Sequence, residues 1–502
     1  MFEVPPFVLH GLEWMATLFV FMVGVGLLVV AGMFVYDRLQ TSNTIRRNYP
    51  VVGRFRGFFT HLGEFFRQYF FAMDREELPF NRAQRNWAEG ASKNVDNTSA
   101  FGSTKNLMHE GTVMFANCMF PQLEEEIAPP SPIVFGPHTP NPYETTSFFN
   151  ISAMSYGALS RPAVRALSRG AKLAGIWLNT GEGGLAPWHL EGDCDVVFQV
   201  GTAKYGCRDE QGQLSDEKLA EIGATPQVKM IELKLSQGAK PGKGGILPAL
   251  KVNEEIAEIR GIPVGQDSIS PNRHPEINSL GDLLDMINRI RDASGLPTGF
   301  KAVIGAYGWM DEFFRLIHER GLESAPDFIT IDSGDGGTGA APLPLMDEMG
   351  LPIRESLPMV VDKLNEYGLR SRIRVIASGK RITPSEVAWA LCAGADAVNS
   401  ARGFMFALGC IQAMKCNKNT CPTGITTHDP RFHKGLDPKD KSVRVANYAQ
   451  NLMKEVSIIS HSCGVPEPRR LKRYHARVVT ANGLSVSLSE LHPDVATRAE
   501  YA

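Results

Sequence analysis

Between residue 148 and about residue 408 the chain alternates short apolar runs with amphipathic helical stretches, and few folds are open to a chain built that way. Strands are expected over 148–154, 196–200, 228–235, 299–304, 328–332, 373–377 and 397–400. Helices are expected over 161–173, 252–260, 279–293, 310–320, 353–367 and 384–393. About eight such alternations in ~260 residues match the size of a (β/α)8 TIM barrel. A doubly wound sheet is the alternative, but no G-x-G-x-x-G follows a strand, so that fold lacks its dinucleotide signature. The expected class is α/β, a TIM barrel preceded by a transmembrane helix and a wrapping arm.

Ahead of the barrel, the run 14–36 (WMATLFVFMVGVGLLVVAGMFVY) carries no charge and is long enough as a helix to cross a hydrocarbon core of ~30 Å. No basic residue precedes it and no small-residue cleavage site follows, which argues against a signal peptide. Arg38, Arg46, Arg47, Arg54, Arg56 and Arg67 follow the run, while only Glu3 and Glu13 precede it. The positive-inside rule then places a single-pass protein in the cytoplasmic (inner) membrane with its bulk on the cytoplasmic side. Residues 51–80 interleave Phe with Arg, and Phe58, Phe59, Phe65, Phe66, Phe70 and Phe71 recur at near-helical intervals. Two readings stay open there, a helix lying on the membrane and a helix packed on the main domain. The stretch 79–143 is proline-rich and reads as a loop-rich arm.

The expected domain plan is an anchor over 1–37, a juxtamembrane and wrapping arm over 38–147, the barrel over 148–453 and a tail over 454–502. In the tail, Arg469, Arg470, Lys472, Arg473, His475 and Arg477 read as a solvated basic helix or a docking patch. A formal net charge of −2 over 502 residues makes no electrostatic case for nucleic acid. Cys118, Cys194, Cys207, Cys392 and Cys463 lie far apart and show no disulfide framework, which suits a reducing compartment.

Chemistry is expected where strands run into polar, glycine-rich loops: ISAMSYG (151–157), NTGEGG (179–184), KLSQGAKPGKGG (234–245), DSGDGGTGAAP (332–342), ASGKR (377–381) and NSARGF (399–404). In a barrel these loops form the active-site face, and the phosphate of a cofactor is expected after strands seven and eight. Those positions are Ser378, Gly379 and Lys380, then Arg402 and Gly403. The recurrence of glycine points to a mononucleotide such as FMN, since glycine lets backbone amides approach a ring or phosphate. Lys301, within FKAVIG, suits a buried cation facing a flavin, and Lys234 ends a similar run, IELKL. Lys240 and Arg260 can pair with a carboxylate substrate; on composition alone Arg260 reads as surface charge.

Cys410, Cys416 and Cys421 stand in GCIQAMKCNKNTCPTGITTH (409–428) with C-x5-C-x4-C spacing and Pro422 after the last. Three is odd for disulfides, and such short gaps strain a bridge. An iron–sulfur cluster fits the spacing, three thiols suggesting a three-iron cluster; zinc stays open, with His428 completing four ligands.

Taken in order, NTGEGG, QGAKPGKGG followed by LPALKV, ISPNRH, GDGGTGAAP and NTCPTGI resemble the FMN-binding synthase domain of glutamate synthase, over roughly residues 148–453. The resemblance implies an FMN barrel with a 3Fe-4S cluster on Cys410, Cys416 and Cys421. In that family reduced FMN delivers hydride to the imine of 2-oxoglutarate and ammonia. Carried over, Gln237, Lys240 and Arg260 would hold the oxo-acid and Glu182 would lie near the reacting centre. Ala153, Met154, Ser155, Gln199, Lys234 and Lys301, with Gly336 and Gly337, would contact FMN beside the phosphate-loop residues.

The departures are equally specific. The family's mature chain begins with a nucleophilic Cys on a glutaminase domain; here Met1, Phe2 and an apolar run stand instead, and Cys118 is read as a packed arm cysteine. Where the family has GEGGQLPG, residues 242–249 read GKGGILPA, which changes the polar groups a substrate can meet. The family's C-terminal β-helix domain has no counterpart in the 455–502 stretch. Three functions follow as expectations. The first is reductive amination of an oxo-acid using external ammonia or amine, with electrons from a ferredoxin-like protein or reductase subunit. The second is an amino- or hydroxy-acid dehydrogenase feeding quinone, and the third a non-catalytic electron-transfer subunit.

Overall fold

Eight parallel strands close on themselves in the computed structural model, which describes residues 5–501. Met1 and Phe2, and with them Glu3 of the charge asymmetry, lie outside the described residues. The chain divides into two units, one ending at Ala83 and one beginning at Gln84.

In the second unit the barrel strands are β1 (Phe149–Ile151), β2 (Leu178–Asn179), β3 (Val196–Val200), β4 (Val228–Lys234), β5 (Thr298–Val303), β6 (Phe328–Asp332), β7 (Arg374–Ser378) and β8 (Ala397–Ser400). Each pairs with the next, and Asn399 opposite Asn150 closes the ring. Three strands begin and end where the apolar runs do. β2 has two residues, too short for a periodic signal, and went unpredicted. Buried on both faces, strands such as Val196–Val200 read as continuous apolar runs, as parallel strands do.

The amino ends of the strands are plugged. A hairpin of Ile133–Phe135 and Tyr143–Thr145 sets Phe135 edge-on to both Trp177 and Phe328, at 5.8 Å between ring centroids in each case. Val197, Met230 and Ile376 complete that core. The arm is thus ordered where it meets the barrel, and each ring buried there is worth about 1.5–3 kcal/mol of transfer free energy.

One long helix, Pro438–Ser462, runs through the boundary expected at 453. It packs on Arg161–Ala174, where Gly170 permits the approach: a Cβ there would stand 2.4 Å from Val445. The basic tail is not a solvated helix. Arg473–His475 is a single tight turn followed by the strand Ala476–Val479, which pairs with Val113–Phe115. Arg469 donates to the carbonyls of Ser131, Thr146 and Ser147, and Arg473 pairs with Asp362. These guanidiniums staple the arm and barrel, so their charge is spent internally.

The first unit opens with α1 (Pro6–Leu39), of the length and composition to cross a membrane and unburied along its apolar window. It is followed by α2 (Thr44–Asn48) and α3 (Val52–Phe66).

Candidate active site

A cleft opens at the carboxyl ends of the strands, its mouth open to solvent. On its wall stand Ala153, Met154 and Ser155 after β1, Glu182 after β2, Gln199 in β3, and Lys234, Gln237 and Lys240 at and after β4. Arg260, Lys301, Gly337, Ser378, Gly379, Lys380, Arg402 and Cys416 complete the predicted residues that line it. Gly336, Gly403, Cys410 and Cys421 are not among the residues that line it. Gly403 backs onto Tyr448, where a Cβ would stand 2.0 Å from the hydroxyl, so its glycine serves packing.

One carboxylate organises the inner wall. Lys234 Nζ lies 2.8 Å from Glu182 Oε2 and donates to Gln237 Oε1 at 2.5 Å, while Gln237 Nε2 donates to Thr338. Glu182 is fitted between two glycines: a Cβ on Gly245 would lie 2.2 Å from its Oε1, and one on Gly201 would lie 2.6 Å from its Cβ. Burial pushes its carboxyl up, but Lys234, Lys240 and Arg260 together win and hold it down to about 2. Glu182 is therefore an anion at neutral pH and no proton donor.

The cations around it are unequally paired. Lys240 and Lys301 are both buried on the cavity wall, and neither ammonium makes a hydrogen bond or ion pair among the described residues. Burial lowers Lys240 to about 8 against the opposing pull of Glu182. Arg260 is buried, contrary to its reading as surface charge. Its guanidinium donates to Ser268 Oγ at 3.1 Å and to the Tyr156 carbonyl at 3.2 Å, and its Nε has no hydrogen-bond partner among the described residues. Gly157 and Gly183 leave it room, since a Cβ on either would come within 3.0 Å of it. Buried cations with unused donors are costly unless an anion arrives. Ile246, Leu247 and Pro248 form an apolar wall opposite, Ile246 standing where the family motif has Gln.

Outward along the same cleft, Gly337, Ser378, Gly379, Lys380 and Arg402 form a second basic corner. Gly379 and Lys380 both have left-handed backbone, with φ of 97° and 50°, which turns this loop back over β7. Gly337 lies under Arg402, where a Cβ would sit 2.9 Å from its Nε. Backbone amides, a hydroxyl and two cations at one corner are a donor set for phosphate.

Sequence reasoning missed Glu232, buried in β4 below the cavity. It accepts from Asn179 Nδ2 (2.9 Å), Gln199 Nε2 (2.6 Å) and Thr330 Oγ1 (2.6 Å). With Nε2 so engaged, Gln199 keeps its Oε1 for a donor in the cavity. The signal was present in I-E-L-K-L, a strand carrying Glu and Lys on one face.

The three thiols share one loop. Gln412, Met414 and Asn419 are all left-handed, with φ from 51° to 57°, so the loop coils tightly between the cysteines. Burial, with Cys416 and Cys421 nearby, pushes the Cys410 thiol up. Lys251 ties this loop to the loop after β1, donating to the carbonyls of Cys416 (2.9 Å) and Ala158 (3.0 Å). No three His, Cys, Asp or Glu side chains among the described residues gather closely enough for one metal ion. That does not suit zinc, and His428 is engaged elsewhere, its Nε2 donating to the Gly157 carbonyl at 2.8 Å. Three thiols on one loop are a donor type that iron–sulfur clusters take.

Comparison with known proteins adds four likenesses. The conserved region of glutamate synthase matches residues 101–466. Over 508 residues the chain is 36% identical to the glutamate synthase large subunit-like protein YerD of Bacillus subtilis, covering 93% of this chain and 96% of that one. It is 33% identical over 356 residues to the archaeal-type glutamate synthase (NADPH) of Thermotoga maritima, covering 71% of this chain and 63% of that one. With the archaeal glutamate synthase (NADPH) of Methanocaldococcus jannaschii it shares 35% identity, over 68% and 63% of the two chains. The chain thus spans less than two thirds of the length of these last two proteins.

Proposed function

This chain belongs to the glutamate synthase family, and on that premise we propose that it is an FMN and iron–sulfur oxidoreductase that reductively aminates 2-oxoglutarate or a related oxo-acid with externally supplied ammonia or amine. The observation that carries the reading is the set of buried, incompletely paired cations, Lys240, Lys301 and Arg260, around one cleft. A dianionic acid is the partner such a site lacks.

In this reading Arg260 and Lys240 take the carboxylates of the acid, with Gln237 holding Lys234 in line. Ser378, Gly379, Lys380 and Arg402 hold the FMN phosphate, and Ala153 to Ser155, Gln199, Gly337 and Lys301 border its ring. When bound, FMN supplies two-electron reduction of the imine and a cluster on Cys410, Cys416 and Cys421 supplies one-electron exchange with a partner. Lys301 would set a buried positive charge beside the ring. Lys240, lowered to about 8, is matched to give and retake a proton at the reacting nitrogen. Glu182 opposes the burial that lowers Lys234 and Lys240, and it holds Lys234 by an ion pair at 2.8 Å. Ile246, Leu247 and Pro248 narrow the choice of acid by presenting no hydrogen-bonding side chain. α1 anchors the protein in the cytoplasmic membrane, with the barrel on the cytoplasmic side.

A second reading draws on α1 alone: the same site run in reverse, oxidising an amino or hydroxy acid and passing electrons to quinone. Anaerobic purification in detergent, with flavin and iron counted, tests both. Glutamate formed from 2-oxoglutarate and ammonia with a reduced carrier supports amination. Bleaching of the flavin by an amino acid alone supports the reverse, and protein without flavin absorbance defeats both.

A further inference from the structure

Just past α1, the N-terminal unit leaves an aromatic stripe uncovered. At about 100° per residue, Phe55, Phe59, Leu62 and Phe66 fall in one line along α3, with Phe58 and Phe65 beside it. Their rings touch along that line, Phe55 to Phe59 at 6.4 Å and Phe66 to Phe70 at 5.3 Å between centroids. Even so, Phe59 is 61% exposed and Phe71 74%. Thr60, His61 and Glu64 take the opposite side, and Arg54 and Arg56 stand at its edges. A continuous aromatic face of this kind does not stay in water.

The charge around the stripe identifies what covers it. Between residues 37 and 71 there are Arg38, Arg46, Arg47, Arg54, Arg56 and Arg67, against Asp37 and Glu64; Asp37 is paired with Arg54, which leaves five arginines to one acid. The joint to α1 is fixed. Asp37, buried at the end of α1, accepts from Arg54 Nε at 2.8 Å and Nη2 at 2.7 Å, and from the Val51 amide at 3.0 Å. Val51 has φ 63° and ψ −58°, and Val52 N–H donates to the Pro50 carbonyl at 2.7 Å, a tight γ-turn. A β-branched residue holds that backbone only under constraint, and the Asp37 carboxylate supplies it. Gly53 closes the elbow against Arg46, where a Cβ would lie 3.1 Å from its Cα.

We propose that α3 and the turn Arg67–Phe71 lie in the headgroup layer of an anionic bilayer, phenylalanines toward the acyl chains and arginines on lipid phosphates, with the Asp37–Arg54 clamp setting the elbow. This rests on the reading of α1 as an anchor, and the test separates the two. The full chain is reconstituted in vesicles of phosphatidylglycerol and phosphatidylcholine with p-benzoylphenylalanine at position 59 or, on the polar side, at position 64. After irradiation, lipid adducts are expected at 59 in about ten-fold excess over 64. In vesicles of phosphatidylcholine alone the yield at 59 falls about five-fold. Equal yields at the two positions, or adducts at 59 mainly to protein, overturn the proposal; an unchanged yield in neutral vesicles overturns its anionic part. Phe65→p-benzoylphenylalanine repeats the test should the first variant fold poorly. An alkaline wash of parallel unirradiated samples reads α1 separately, and release of the chain there defeats the anchor whatever the adducts at 59 show.

Discussion

At the amino ends of the barrel strands, Phe135, Trp177 and Phe328 meet in a dry aromatic plug; at the carboxyl ends of the same strands, Lys234, Lys301 and Asp332 look into an open cleft. The plug is built of buried apolar side chains packed on one another, with the Trp177 Nε1–H lacking a hydrogen-bond partner among the described residues. The cleft wall is charged instead, with two ammoniums and a guanidinium nitrogen that have no partner among the described residues. Between them, Glu232 sits in a layer where a buried carboxylate is satisfied by neutral donors alone, whereas Glu182 above it is held by cations. The difference teaches where each part of the sequence acts: the plug stabilises, the cleft stores unmet hydrogen-bonding and charge for a ligand, and Glu232 fixes geometry between them.

The comparison breaks most severely at the thiol loop. Cys416→Ser is expected to remove cluster iron, measured by iron content and electron paramagnetic resonance, and to abolish electron exchange while flavin is retained. Unchanged iron in that variant removes the cluster from the reading. Next, Lys240→Ala should lower kcat/KM for the oxo-acid by roughly 10²–10⁴-fold, with flavin content intact; full activity there favours the non-catalytic subunit.

Phe135→Ala tests the opposite end. It should cost about 3–5 kcal/mol of stability by leaving a cavity among Trp177, Tyr143 and Phe328, read from a denaturation midpoint, with KM for the acid unaltered at low temperature. A raised KM would show that plug and cleft are not separable. The pH profile is a gentler probe. Lys240 is cationic below about 8 and neutral above it, so binding of the dianion is present below that pH and lost as pH rises through it. KM should rise by about ten-fold per unit beyond the pKa. Glu182→Gln removes the carboxylate that supports the ammonium and should move this limb to lower pH. The smallest effect is expected for Glu232→Gln, about ten-fold or less in kcat, accompanied by a shifted flavin absorption band as Gln199 loses its fixed orientation; an unmoved band would make Glu232 a purely structural group.

Much of this was legible in the residue order. Val196–Val200, Phe328–Asp332 and Ala397–Ser400 are strands over the runs that announced them, because strands buried on both faces need unbroken apolar residues. Leu178–Asn179 was not legible, since two residues carry no period. The tail misled: six basic residues within nine positions resemble a solvated helix, yet Arg469 and Arg473 are bound to carbonyls and to Asp362. Composition cannot distinguish a guanidinium in water from one capping backbone oxygens. Arg260 misled for the same reason.

By itself the sequence determined the barrel, the ordered glycine loops, the three thiols and an apolar run of membrane length, since periodicity and residue type suffice for each. Only the tertiary structure decided that Glu182, Lys240, Arg260 and Lys301, drawn from three separate strand–loop units, share one cleft, and that burial and the charges gathered there leave Glu182 ionised and Lys240 near 8. Chain order carries no through-space distances, and charges act through space.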